Sequence, residues 1–197
     1  MGQVLKGSNA GGGSNLFRYN TFLAGNSSFI PGAFNSIQTV FYSTSSGGDV
    51  VFSSIPNNYR HLQVRIFARD TRAAVDSTWF MQFNSDTGNN YSYQGMNANG
   101  SSISSISSLN TNSMQGIVSG ANSGSSRYGA AVIDIFDSNQ TNKYKSVSYQ
   151  SGYTNNGSGN IYTVAGTWRS QSAISTITIK PNTAFAQYSH IALYGIL

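Results

Sequence analysis

The sequence predicts an all-β fold, an antiparallel β-sandwich or jelly roll carrying an extended N-terminal arm. Three observations lead there. The first is composition: 33 Ser, 21 Asn and 21 Gly stand in 197 residues, with six Asp and no Glu. Helices are built from Ala, Leu, Glu and Lys, whereas this mixture with 12 Tyr and 11 Phe favours strands and turns. The second is period: apolar residues alternate over segments of five to ten residues, and no helical spacing is sustained. The third is punctuation, because Gly, Asn and Ser clusters separate those segments at intervals of about 8 to 15 residues.

Residues 1–34 read as an arm and residues 35–197 as a single domain. Gly11-Gly12-Gly13-Ser14 is a flexible linker, and Phe17, Tyr19, Phe22, Phe29 and Phe34 lie around it without period. Aromatic side chains in such a segment are expected to dock on a partner, or else to cover one end of the chain's own core. Fully extended, the arm spans at most about 120 Å.

The strands then follow in order. Ile37 to Tyr42 and Val50 to Phe52 flank Ser43 to Asp49, which reads as a hairpin loop. Arg60 to Arg69 is the clearest strand, with Leu62, Val64, Ile66 and Ala68 on one face and His61, Gln63, Arg65, Phe67 and Arg69 on the other. Trp79, Met81 and Phe83 alternate, which places Trp79 in the core. Asn84 to Asn90 turns the chain into a strand over Tyr91 to Met96. Asn97 to Ser113 reads as a loop, with room for one short turn at Ile103, Ile106 and Leu109. Ala130 to Phe136 is apolar on both faces and reads as central. Lys143 to Tyr153 and Ile161 to Trp168 straddle Asn156-Gly157, a hairpin signal. Ile174 to Lys180 and the apolar Ser189 to Ile196 complete nine or ten strands.

Only 9% of the chain is charged, against about 25% in an average globular protein. With so few carboxylates and only His61 and His190, catalysis is poorly supplied, so no enzyme and no catalytic residue is expected. Asp134, inside an apolar strand, and Asp137 beyond it are the best-placed carboxylates, though a solvent-facing or turn-capping role serves them equally. Asn84 to Asn89 is rich in oxygen ligands but lacks the bidentate Glu of a calcium loop, and the same residues make good turns. Without Cys or a His pair at ligand spacing, neither a metal nor another cofactor is expected. The net charge of +5 is mild, no apolar run approaches 18 residues, and Met1 to Lys6 lacks the apolar core of a secretory signal. Neither nucleic acid nor membrane is therefore an expected partner.

Two surface features remain. Arg60, Arg65, Arg69 and Arg72 fall within 13 positions; they form a basic, partner-facing strand or a set of locally paired side chains. Trp168, at a strand end, is a candidate glycan contact at the domain rim.

Several strings, taken in order, carry a resemblance. They are Ile55 to Arg65 (IPNNYRHLQVR), Phe83 to Ser92 (FNSDTGNNYS), Val132 to Ile135 (VIDI) with Asn142 to Lys145 (NKYK), and Tyr188-Ser189 with Ala192 to Ile196 (ALYGI). Over residues 55–197 the chain resembles a group of β-rich virion proteins of tailed phages that infect aquatic bacteria. The resemblance implies a non-enzymatic structural protein on the exterior of the particle, usually oligomeric. A capsid decoration or cement protein is expected, a homotrimer docked on the major capsid protein or other virion proteins through the arm. The alternative is a tail or head-fibre module that binds host surface glycan.

Overall fold

The computed structural model describes residues 34–44 and 46–197, and these residues form two antiparallel sheets. The strands are β1 (Phe34–Phe41), β2 (Val50–Phe52), β3 (His61–Ala68), β4 (Asp76–Phe83), β5 (Tyr91–Ala98) and β6 (Ile103–Thr111). They continue with β7 (Met114–Ser119), β8 (Gly129–Phe136), β9 (Lys145–Thr154), β10 (Gly159–Trp168), β11 (Ile177–Pro181) and β12 (His190–Ile196). The large sheet runs β1-β12-β3-β8-β9-β10-β5-β6, the small one β2-β11-β4-β7. Among the described residues there is no α-helix, as the composition requires, and only one turn of 3-10 helix at Ala121–Ser123.

The sheets pack as a sandwich. Leu62, Val64, Ile66, Ile133, Ile135, Val147, Tyr149, Val164, Ile191 and Leu193 line the large sheet's inner face, and Phe52, Trp79, Met81, Phe83, Met114, Ile177 and Ile179 line the small sheet's. At about 25 cal/mol per Å² of apolar surface, this shared layer is the dominant stabilising term. One close approach depends on glycine: Gly116 pairs with Trp79 across β4 and β7, and a Cβ there would sit 2.3 Å from the indole. The bare backbone lets the ring lie flat against β7.

The Asn156-Gly157 hairpin forms as expected, joining β9 and β10 in continuous register from Gly159↔Thr154 to Trp168↔Lys145. Both central turn residues have positive φ, 49° and 98°, the conformation that Asn and Gly tolerate. The alternation of β3 is as expected, and its register with β8 and β12 is unbroken.

Four expectations need correction. Residues 43–49 are not a hairpin loop, because β1 belongs to the large sheet and β2 to the small one, so the segment crosses between layers and is tied at Gly47 to Phe185. Asn97 to Ser113 is not a loop: it contains all of β6, in register with β5 from Ala98↔Ile103 to Tyr93↔Ser108. The period-three spacing of Ile103, Ile106 and Leu109 marks no helical turn; Ile106 packs toward the core while its two neighbours are exposed. β7 then adds a twelfth strand, so the described residues hold more than the nine or ten expected. Finally, Phe34 opens β1 beside Ile196 and is part of the sheet. Phe17, Tyr19, Phe22 and Phe29 lie outside the described residues.

Candidate functional site

No described residues form a layer over the outer face of the large sheet. A strand alternates its side chains between two faces, so each residue that feeds the core leaves neighbours pointing out. Along β3 these are His61, Gln63, Arg65 and Phe67; along β8, Ala130, Val132, Asp134 and Phe136; along β12, His190 and Tyr194. Arg65 and Asp134 are the only formal charges among them. Gln63 bridges the two: its amide nitrogen donates to Asp134 Oδ1 at 2.7 Å and its carbonyl oxygen accepts from Arg65 Nε at 2.8 Å. The Arg65 guanidinium also lies 5.1 Å from the ring centres of both Phe34 and Tyr194. Phe67 stacks on Tyr128 at 5.0 Å, and Phe136 stands edge-on to His61 at 5.7 Å.

Toward β6 the face becomes neutral. A groove of about 610 Å³ crosses it, lined by the hydroxyls of Ser107, Ser146, Ser148 and Thr167, the amide of Gln94, and the apolar walls Phe136 and Leu109. Among the described residues no charged side chain lines it. Such a groove accepts a neutral polar ligand or a partner's short side chains.

The four arginines do not form one basic strip. Arg60 donates from Nε to Asp137 Oδ1 at 2.7 Å, and Lys143 donates to the other carboxylate oxygen at 2.6 Å. Those two cations hold the half-buried Asp137 carboxyl well below the usual range, at about 2, with the Lys143 contact the larger cause. Arg69 turns away from the strand face, and its guanidinium donates to the carbonyls of Gly120, Ala121 and Ser125. Arg72 is exposed in the turn after β3. Arg65 alone faces outward from a strand, and its aromatic neighbours, not other cations, define its surroundings.

Trp168 is not at the rim. It is 2% exposed, packed on Phe83 and Tyr91, and its Nε1 donates to Asp86 Oδ2 at 2.7 Å. A ring so enclosed offers no face to a sugar. The side-chain oxygens of Asp86 and Asn84 in this turn are engaged as well. Asp86 accepts from Gly88 N and Asn90 Nδ2, and Asn84 Oδ1 accepts from the amides of Ser175 and Thr176. Burial pushes the Asp86 carboxyl up, but the donors from Trp168, Asn90 and Gly88 outweigh it and hold the group below its ordinary value.

One more acid is similarly engaged. Asp70 is fully buried and accepts from the amides of Arg72, Asn182 and Thr183, pinning two turns together. His61 Nδ1 accepts from the amide of Asp137 at 3.0 Å. Sequence reasoning missed Gln94, Ser107, Leu109 and Phe136 as surface residues of one groove. A usable signal existed: residues 87–126 contain no charge at all. The chain matches no family model, no curated protein and no solved structure.

Proposed function

We propose that the chain is a non-enzymatic structural protein of a tailed-phage virion, a decoration or cement protein that acts by surface contact on the particle's exterior. The observation that carries the contact reading is the nearly uncharged outer face of an eight-stranded sheet, over which no described residues form a layer. Strands spaced about 4.8 Å apart make that face about 34 Å wide; at a length of about 25 Å it presents about 850 Å². A standard protein interface takes about 800 Å² from each partner. Exposed aromatic rings with one arginine, few acids and little lysine are what interface centres favour. Support for the phage assignment is the ordered set of strings in residues 55–197. The engagement of Asp70, Asp86, Asp134 and Asp137 by internal donors fits a protein that does no acid-base chemistry. The partner is the major capsid protein or another virion protein, and the chain also associates with copies of itself.

A second reading, a module binding host glycan, is favoured by the neutral hydroxyl- and amide-lined groove beside Phe136. Sugar contact would pass through Gln94 and Phe136, not Trp168. Mass spectrometry of purified particles of the encoding phage, with immunogold labelling, tests both. Decoration requires the chain in the particle with label on the capsid. Label confined to fibres, with glycan-array binding that Gln94→Ala abolishes, replaces the first reading with the second. Absence from the particle overturns both.

A further inference from the structure

We infer that β6 is a homotypic docking edge, pairing antiparallel with β6 of a second copy across a two-fold axis at Ile106. Among the described residues β6 ends the large sheet and bonds only to β5, so one row of its backbone N–H and C=O groups faces outward. Natural edge strands are guarded by Lys, Pro, bulges or brevity. β6 is nine residues long and has neither charge nor Pro. The irregularity in its pairing with β5 falls opposite Tyr91 to Tyr93, and its one positive φ, 56° at Asn110, follows Leu109. That irregularity sets Leu109 and Asn110 together opposite Ser92, so Ile103 to Ser108 is a regular, open edge that ends at the bulge.

The occupant is written in the strand. Ile103-Ser104-Ser105-Ile106-Ser107-Ser108-Leu109 reads almost the same in both directions. Laid antiparallel on itself about Ile106, it sets Ile103 against Leu109, Ser104 against Ser108 and Ser105 against Ser107, each pair twice. Opposed residues of an antiparallel pair share a face. Ile103 and Leu109, 72% and 73% exposed, therefore cover each other on the outer face. Ile106 meets its own copy on the inner side. The two large sheets become one continuous sheet with both grooves on the same side, a closed, isologous contact. The other edge, β1, suits this less, because its register shifts between Ser36 and Gln38. A three-fold assembly would instead need unlike edges to meet. The pairing concerns the chain alone and does not depend on where the protein sits in a virion.

The test uses the full chain in sedimentation-velocity runs across a concentration series, with two double variants. S105K/S107K places Lys opposite Lys twice at the proposed register. S105K/S107E places Lys opposite Glu twice, at the same exposed positions and with the same strand disrupted. The expected result is a wild-type dimer, a Kd weakened roughly tenfold or more by S105K/S107K, and substantial recovery in S105K/S107E, because like charges directly opposed in a sheet repel and opposite ones attract. Far-UV circular dichroism checks that both variants fold; if either fails, Ser105→Lys and Ser107→Glu are made singly and mixed, where a heterodimer tighter than both homodimers is expected. A wild type that stays monomeric at 100 µM, a trimer, or a dimer that both double variants affect equally overturns the inference.

Discussion

Replacing Trp168 with Phe should weaken the fold by about 2.5–4 kcal/mol at pH 7, and most of that loss should disappear in acid. The indole N–H donates to Asp86 Oδ2 at 2.7 Å, and a hydrogen bond to an ionised carboxylate contributes about 1.5–3 kcal/mol net. The smaller ring leaves part of a fully buried site beside Phe83 and Tyr91 unfilled, which costs about 1 kcal/mol more. Asp86 has a folded pKa below its ordinary value, held there against burial by Trp168, Asn90 and Gly88. Its contribution is therefore present above the unfolded value of about 3.9 and is lost as the pH falls through the lower folded value. Without the indole donor the folded value rises toward the ordinary one, so at pH 7 the variant pays the full penalty. Once Asp86 is protonated, only the packing cost remains. Urea unfolding followed by far-UV circular dichroism at pH 7 and at a pH low enough to protonate Asp86 in the folded state measures both quantities, and the Tm at pH 7 should fall by about 5–15 °C. A penalty equal at the two pH values would refute the claim that the Trp168–Asp86 bond, and not packing alone, secures this end of the sandwich.

Two further substitutions probe the interior. Lys145→Met should cost about 3 kcal/mol in urea unfolding: the buried ammonium, its pKa lowered by burial, donates to the carbonyls of Gln140, Lys143 and Gln171, and a thioether leaves those acceptors unpaired; an unchanged midpoint would mean that water replaces it. Gly116→Ala should cost about 1–3 kcal/mol by driving a methyl into the Trp79 ring 2.3 Å away and toward Ser151, and a variant as stable as wild type would show that β7 can shift to make room.

Legibility differed from strand to strand. β3 was plain in the sequence because Leu62, Val64, Ile66 and Ala68 fall on one apolar face and alternate with His61, Gln63, Arg65 and Phe67. The β9–β10 hairpin was plain because Asn156-Gly157 is one of few pairs that accept positive φ at both turn positions. β6 was hidden because Ser has weak strand preference and the strand forms on the template of β5; its apolar residues, three apart, point alternately out and in. Arg69 follows the alternation of β3 in sequence, yet its guanidinium is drawn to three carbonyls of residues 120–125, which no local pattern encodes.

By itself the sequence determined that this protein is built of strands, since period and turn chemistry are local properties set by each residue's own backbone and side-chain preferences. It also determined the scarcity of charge, and with it a surface of hydroxyls, amides and rings. Only the tertiary structure decided which of those groups face outward together. It enclosed Trp168 with Asp86, separated the four arginines, joined Gln94 and Ser107 to Phe136, and left β6 at an edge. Those outcomes depend on which strands become neighbours, and strand order is set by the burial of the whole core, a sum over distant residues that no short segment contains.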